Sequence, residues 1–445
     1  MFKVLTIAGS DSCGGAGIQA DQRAVNSLGG YAATVITAIT SQNTTGIRSI
    51  FALPDDIVND QLDAVLSDIK FDAVKTGMLY SSSVIEIIAK KLKRYKVKNL
   101  VIDPVTISKS GNTLLKKNAV QSLISSLIPL SLVITPNIEE AGLLAGMKIG
   151  NLTDMKVAAK KIYRMGARNV LIKGGHLKGL PLDLLYDGKK YTLYEGTRID
   201  TKNTHGIGCA FSAIIASYLA INYSLKDAIS NAKKIIESSL KNAEDIGKGQ
   251  SSPDTNSWVV DEAMSYEAIE DAKKAYNLLA ENSVGDLVAE VQMNIVSAKR
   301  NAEKVDDIAA FPGRIFKIND KIYTHSSPRL GASSHMARVL LAARKFDKTI
   351  FGAINIKYSP SIISACRKAG LKVMEFSRKD EPLSFKKKEG QSLDWGVQAV
   401  LSKTSVMPDV IFDRGGIGKE AMVRVFGKSA VDSAQKILKI QKCLR

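Results

Sequence analysis

Residues 71–105 read FDAVKTGMLYSSSVIEIIAKKLKRYKVKNLVIDPV. Two short apolar runs, FDAVKTG (71–77) and NLVIDPV (99–105), bracket VIEIIAKKLKRY (84–95), whose apolar residues recur at helical spacing. Unbroken apolar runs of this length suit strands buried on both faces, and strand–helix–strand alternation predicts parallel pairing. The same pattern extends outward through KVLTIAG (3–9), SLVITPN (131–137) and NVLIKGG (169–175), with MKVAAKKIYRMG (155–166) as a further amphipathic helix. The breaker-rich stretch GKGQSSPDTNS (247–257) reads as a linker. Beyond it a helix is expected at about 261–281, then strands at KTIFGAINI (348–356), LKVMEF (371–376) and PDVIFD (408–413). The expected fold is therefore α/β: a three-layer domain with a mostly parallel sheet over 1–247, a linker over 248–260, and a second, smaller α/β domain over 261–445. No internal repeat relates the halves.

A chain of 445 residues has room for two or three cores. An apolar fraction of 45% against 24% charged is ordinary for a soluble globular chain. No apolar run approaches the roughly 18 residues of a membrane helix, so no membrane contact is expected. The opening MFKVLTIAGSDS turns polar too soon for a secretory signal and reads as a strand. Cys13, Cys209, Cys366 and Cys443 share no C-x-x-C spacing, which argues against a disulfide framework or zinc site and for a reducing cytoplasm. The net charge of +18 suits nucleic acid or small phosphorylated metabolites. Basic residues are spread along helical stretches such as KKLKRYKVK (90–98), and the one cluster, FKKKEG (385–390), is short. With neither a recognition-helix pattern nor an RNA-binding aromatic motif beside them, no nucleic acid is expected as a partner.

Asp103, Asn137 and Lys173 each fall at the C-terminal end of an expected strand, where open α/β sheets bind ligands. GAGIQA (15–20) fits a dinucleotide-binding turn, but no acidic residue lies between Asp21 and Asp55 to hold a ribose, so that reading is set aside. DRGGIGKE (413–420) resembles a phosphate loop but has Asp413 at the first glycine's place and Glu420 at the last position. HGIGCAFSAIIASYLA (205–220) carries more. Its glycines let the backbone N–H groups of Gly206, Ile207 and Gly208 converge at a helix start, an arrangement that receives an anion. Cys209 follows in the first turn, where the helix's positive end is expected to lower a thiol's pKa. From this stretch alone, a packed thiol and a reacting one are equally good readings.

The segments GSDSCGGAGIQAD (9–21), TAITSQNTTGI (37–47), KTGML (75–79), ITPNIEEAGLL (134–144), IKGGH (172–176) and TKNTHGIGCAFSA (201–213) resemble, in order and spacing, the hydroxymethylpyrimidine/phosphomethylpyrimidine kinases (ThiD) of thiamine biosynthesis. The resemblance covers nearly all of 1–247 and implies the ribokinase-like fold, with ATP as co-substrate and Mg2+ as cofactor. On it, Gln42 matches the glutamine that hydrogen-bonds the aminopyrimidine, and Gly9, Asp21 and Met78 match other parts of that pocket. Asn137 and Glu140 match an N-x-x-E element that organises magnesium. Lys173 matches a lysine near the nucleotide phosphates, with Asp103 at the same sheet edge, and Cys209 matches the proposed base for the attacking hydroxyl. The family's usual G-T-G-C is departed from at Ile207, which removes a hydroxyl and leaves the anion hole to backbone donors.

From about residue 262 the chain resembles the ThiN-type thiamine-phosphate synthases, through EVQMNIVSAKRNA (290–302), DIAAFPGRI (307–315), LGASSHMARVLLAARKFD (330–347), AINIKYS (353–359), SLDWGVQ (392–398) and PDVIFDRGGIGKEAM (408–422). The implied reaction joins a pyrimidine diphosphate to thiazole phosphate and releases pyrophosphate, whose growing charge needs cationic partners. Arg314 and His335 are the leading pair, Arg414 and Lys419 are candidates for phosphate contact, and Asn294 and Asn355 are weaker ones. The expected partners are the small-molecule substrates, and a homo-oligomer is expected. The alternative reading is a pyridoxal-type vitamin kinase carrying a thiamine-phosphate-sensing regulatory domain.

Overall fold

The computed structural model describes residues 1–106, 115, 117–175, 181–378, 392–416 and 419–444. The basic cluster FKKKEG and residues 417 and 418 of the DRGGIGKE loop lie outside the described residues. The chain forms two compact units, Met1–Val259 and Val260–Arg445.

The first unit is built on nine strands: β1 (Lys3–Asp11), β2 (Tyr31–Asn43), β3 (Gly46–Ala52), β4 (Ala73–Thr76), β5 (Leu100–Ile102), β6 (Val133–Ile134), β7 (Val170–Ile172), β8 (Leu182–Tyr186) and β9 (Tyr191–Glu195). They form one sheet in the order β3-β2-β1-β4-β5-β6-β7-β8-β9. β2, β1, β4, β5, β6 and β7 run parallel, and β3, β8 and β9 are added by antiparallel pairing at the two edges. The two-residue period of a strand divides the apolar side chains between two layers. Leu5, Val74, Ile102 and Ile134 pack under the helices Asp55–Asp68, Ser82–Arg94, Ile138–Ala145 and Leu152–Tyr163. Their neighbours Val4, Ala73, Val101 and Val133 pack under Gly17–Ser27, Ile207–Ala220 and Leu225–Lys241. The three-layer expectation therefore holds, and the buried runs named above supply its central strands.

The edge hairpins β2–β3 and β8–β9 left no comparable signal in the sequence. β3 and β9 have no fully buried residue, so neither carries the apolar run by which the inner strands are recognised. The stretch expected to link the halves is also partly structured. Residues 249–251 are hydrogen-bonded into the first unit, through Gly249 N to Thr44 Oγ1 (3.1 Å), Gln250 N to the Thr44 carbonyl (2.8 Å) and Ser251 N to Asn203 Oδ1 (3.1 Å). A helix, Ser257–Ala280, begins six residues later.

The second unit contains β10 (Ile295–Ala298), β11 (Ile308–Ala310), β12 (Ile315–Ile318), β13 (Lys321–Thr324), β14 (Arg329–Leu330), β15 (Gly352–Lys357), β16 (Val373–Glu375), β17 (Val410–Asp413) and β18 (Met422–Gly427). Seven form a sheet in the order β14-β11-β10-β15-β18-β17-β16, while β12 and β13 make a separate hairpin. Among the described residues of this sheet, only β16 and β17 pair in parallel. A parallel pair needs a long crossover, which the helix Ser392–Leu401 occupies between them, whereas the short links β10–β11 and β17–β18 permit antiparallel return. Val423 and Val425 face one apolar cluster and Phe426 the other, so Arg424 lies on the Phe426 side of an inner strand. Among the described residues no helix is long and apolar enough to cross a membrane.

Candidate active sites

In the first unit a cavity of about 170 Å³ opens at the C-terminal ends of the parallel strands. Gly9, Gln42, Met78, Asp103, Asn137, Glu140, Lys173, Gly206, Ile207, Gly208 and Cys209 all line it. They come from segments far apart in sequence and meet because the crossovers all return to one edge of the sheet. Gly206 caps the helix Ile207–Ala220 in the left-handed region (φ 75°), and a Cβ there would lie 1.9 Å from the Gly15 carbonyl oxygen. Glycine is required on both counts. The first-turn N–H groups of Ile207, Gly208 and Cys209 precede the helix's own hydrogen-bond ladder and so remain available to an anion. A Cβ on Gly208 would stand 3.2 Å from Lys173 Nζ and 3.5 Å from Asp103 Oδ2, which presses this turn against the Lys173–Asp103 ion pair (2.8 Å). The Ile207 side chain packs toward the apolar cluster of this helix layer, so its backbone donor is available with or without a hydroxyl.

Cys209 is partly buried in the first turn. The expectation of a lowered thiol pKa is not met: burial, with the carboxylates of Asp21 and Asp103 near, outweighs the Lys75 ammonium and the Gly17 N–H and pushes the thiol up to about 11. The positive helix end alone does not decide a site that two carboxylates also face.

Gln42 is held before any ligand arrives. Its Nε2 lies 2.8 Å from His205 Nε2, which is also 3.1 Å from Asp11 Oδ2. Asp11 in turn accepts from Cys13 N (2.9 Å) and Ala16 N (2.8 Å), and the His205 N–H reaches the Ser251 carbonyl (3.2 Å). His205 and Asp11 were missed in the sequence, although both stand inside the motifs quoted above. Only their 3.1 Å contact across 194 residues singles them out.

Asn137 and Glu140 form a capping box on the helix Ile138–Ala145, with Glu140 N donating to Asn137 Oδ1 (2.9 Å) and Asn137 N to Glu140 Oε2 (2.8 Å). The N-x-x-E spacing is thus spent first on the helix start. Burial, with Asp103 nearby and despite Lys173, pushes the Glu140 carboxyl up to about 7, a group that a bound cation would ionise. Among the described residues no group of three or more His, Cys, Asp or Glu side chains gathers as a metal cage. The donors present, with the Glu140 carboxylate among them, would fit a magnesium ion carried in by phosphates. Asp21 requires a correction. It does not line the cavity; it is fully buried and binds Lys75 Nζ at 2.8 and 2.9 Å and Thr6 Oγ1 at 2.5 Å. Its helix turns it into the sheet layer, where it buttresses the site from behind.

The second unit has a larger cavity, of about 440 Å³, lined by Arg314, His335, Asn294 and Asn355, together with Gln292, Met422 and Arg424. Arg314 adopts φ 65°, a left-handed conformation uncommon for a non-glycine residue, and donates to the Val291 carbonyl at 2.5 Å. His335 lies in the first turn of the helix Ser334–Phe346, whose N-terminus Ser333 caps. Asn294 and Asn355 are occupied in holding the cavity wall. Asn355 Oδ1 accepts from Asn294 N (2.7 Å), and the Asn294 side chain pairs with both backbone groups of Phe311 (3.1 Å each). Arg414 and Lys419 do not line the cavity. Arg414 is exposed and paired with Glu375 at 2.8 Å, and Lys419 forms a two-way backbone bridge with Gly416 (2.9 Å each way). Both side chains are exposed in this structure.

Desolvation in the cavity, with the charges of Arg424, Arg314, Arg378 and Arg338, drives the His335 imidazole down to about 4. A histidine held this low stays neutral from pH 7 to pH 5, where an ordinary imidazole gains its charge. The Cε1 proton resonance lost in His335→Asn is accordingly expected to titrate near pH 4. A midpoint between 6 and 7 would show that the arginines do not act on it.

The family described as phosphomethylpyrimidine kinase matches residues 11–254, and that described as thiamine-phosphate synthase ThiN matches residues 271–439. Over 247 residues the chain is 49% identical to the thiamine biosynthesis bifunctional protein ThiED of Geobacter sulfurreducens, covering 55% of this chain and 50% of that protein. It is 42% identical over 251 residues to the hydroxymethylpyrimidine/phosphomethylpyrimidine kinase of Bacillus subtilis, covering 56% of this chain and 93% of that one. An ADP complex of Bacillus subtilis pyridoxal kinase superimposes with a TM-score of 0.55 at 40% identity, over 58% of this chain and 99% of that one. The chain spans about half the length of the bifunctional relatives it matches.

Proposed function

Because the chain belongs to the phosphomethylpyrimidine kinase family, with a ThiN-type thiamine-phosphate synthase segment behind the kinase unit, we propose that it catalyses successive steps of thiamine phosphate formation. The first unit would phosphorylate 4-amino-5-hydroxymethyl-2-methylpyrimidine with ATP, then phosphorylate the monophosphate to the diphosphate. The second would condense that diphosphate with thiazole phosphate. The observation that carries this reading is the meeting of Gln42, Lys173 and Cys209 around the unpaired first turn at Ile207 in one cavity.

In the first transfer the hydroxymethyl oxygen forms a bond to the γ-phosphorus as the bond to the β-phosphate oxygen breaks and ADP leaves. The hydroxyl proton passes to the Cys209 thiolate, which leaves the step as the neutral thiol. N–H groups of the first turn receive the charge spread over the phosphoryl oxygens, and Lys173, fixed by Asp103, offsets the phosphates. Magnesium, held through Glu140 and the phosphates, would supply further charge neutralisation. Gln42, released from His205, would orient the aminopyrimidine. In the second unit the C–O bond to the diphosphate breaks, pyrophosphate leaves, and the thiazole nitrogen takes the methylene carbon. Arg314 and neutral His335 would hold the departing anion by hydrogen bonds. Joining the two units raises the local concentration of the shared diphosphate.

The test uses the full chain. Given hydroxymethylpyrimidine, MgATP and thiazole phosphate, it is expected to release thiamine phosphate. Given the diphosphate and thiazole phosphate without ATP, it is expected to do so again. Failure of the second reaction alone would remove the synthase half of the reading and leave a kinase with a ligand-sensing unit. Pyridoxal phosphorylated in preference to hydroxymethylpyrimidine would overturn the substrate assignment.

A further inference from the structure

Arg424 is the least expected residue of the second cavity. It stands in the middle of the apolar strand MVRVFG, paired across the sheet with Asn355, and only 1% of it is exposed. Its Nη1 donates to Asp413 Oδ2 at 2.9 Å. Asp413, wholly buried, also takes Arg378 through Nε at 2.5 Å and Nη2 at 3.3 Å. Two guanidinium groups therefore share one carboxylate. Glu420, another carboxylate bonded to this wall, is half-buried and its two oxygens are occupied by the N–H groups of Glu290 and Val291 (2.9 Å each). Among the described residues Arg424 Nε has no hydrogen-bond partner. A buried ion pair that only tied β17 to β18 would need one arginine; among the described residues Asp413 is the one carboxylate bonded to either guanidinium, and burying a second charge without its own counter-ion costs several kcal/mol. That cost is offset when an anion enters the cavity that Arg424 lines.

We infer that Arg424 is a phosphate-binding residue of this cavity, its guanidinium held by Asp413 so that it bonds a phosphoryl or diphosphate anion alongside Arg314. The inference rests on the proposed synthase reading for the identity of the anion, and on geometry and charge alone for its class. Phe376 supports the arrangement, with the Arg424 and Arg378 guanidinium carbons 5.6 and 5.8 Å from its ring centre. A lone arginine inside an otherwise apolar strand was the sequence signal for this site.

The experiment compares the full-length wild type with Arg424→Lys and Arg424→Met. Binding of labelled inorganic pyrophosphate and of inorganic phosphate is measured by equilibrium dialysis, with excess ADP to occupy the kinase unit. Loss of a charged, forked donor is expected to weaken pyrophosphate binding roughly 10- to 100-fold in the Met variant, and less in the Lys variant, which keeps the charge. The Lys variant carries the test if the Met variant fails to fold. In the synthesis assay a raised KM for the pyrimidine diphosphate alone would place the leaving group on Arg424; a raised KM for thiazole phosphate alone would place the other phosphate there. Wild-type affinity in both variants, or no binding of either anion by the wild type, overturns the inference. Arginine-dependent binding in a wild type that makes no thiamine phosphate would sink the synthase reading and leave the anion site standing.

Discussion

Replacing Cys209 by alanine is expected to lower kcat for hydroxymethylpyrimidine phosphorylation by about 10²–10⁴-fold, the usual contribution of a positioned base, with KM changed far less. The thiol is pushed up to about 11 in the ligand-free protein, so its thiolate fraction grows about tenfold per pH unit below that value. If that thiolate takes the hydroxyl proton, wild-type kcat/KM rises with pH across the neutral and mildly alkaline range. The alanine variant loses this slope along with the rate. Alanine is a mild change structurally, because the helix start rests on Gly206 and the unpaired N–H groups and not on the sulfur. Initial rates over a pH series for both proteins decide the matter. Wild-type turnover in the variant, or the same slope in both, would take Cys209 out of the mechanism.

The second large effect is on stability and comes from behind the site. Lys75 and Asp21 are both 0% exposed and bonded at 2.8 Å, and the Asp21 carboxylate together with Cys209 and Asp103 outweighs the burial that would lower Lys75, so its ammonium is held above its ordinary pKa. Lys75→Met preserves much of the stem but leaves Asp21 buried without its counter-charge. Breaking such a pair costs about 3–5 kcal/mol, which corresponds to roughly 6–20 °C in the melting of a unit this size. Asp21 then favours its protonated form in the fold, so the folded state binds more protons than the unfolded state above the ordinary carboxyl pKa. The deficit is therefore greatest near pH 7 and shrinks as pH falls toward 4. Adding Asp21→Asn is expected to recover part of the loss by removing the stranded charge. Thermal melts at pH 7 and pH 5 read all of this; an unchanged midpoint in Lys75→Met would refute it.

Much of the first unit was legible because its signals are local. Buried parallel strands write continuous apolar runs, so β1, β4, β5, β6 and β7 could be read one at a time. The HGIGC turn could be read because left-handed backbone needs glycine at Gly206. The edge strands β3 and β9 have no fully buried residue and wrote no such run. In the second unit the helix at about 261–281 and the strands at 348–356, 371–376 and 408–413 were readable, but the other strands and the strand directions were not, because direction depends on which strands the short links allow to pair.

The residue types of the site were readable as well: a thiol after a glycine turn, a lysine and carboxylates at strand ends, an arginine and a histidine in the second half. Their electrostatic character was not. The Cys209 thiol was expected low and stands high, Asp21 was expected in the pocket and lies behind it, and Arg414 was expected at a phosphate and faces solvent. Arg424 and the Gln42–His205–Asp11 contact emerged only from the folded chain. Sequence by itself determined the buried inner strands and amphipathic helices of the first unit and which residues those strand ends offer, since backbone period and glycine conformation are properties of neighbours along the chain. Only the tertiary structure decided which of those groups share a cavity, which are buried and which charge stands beside which. Desolvation and Coulomb interactions depend on distance in space, and residues 54, 70 or 194 positions apart acquire that distance only on folding.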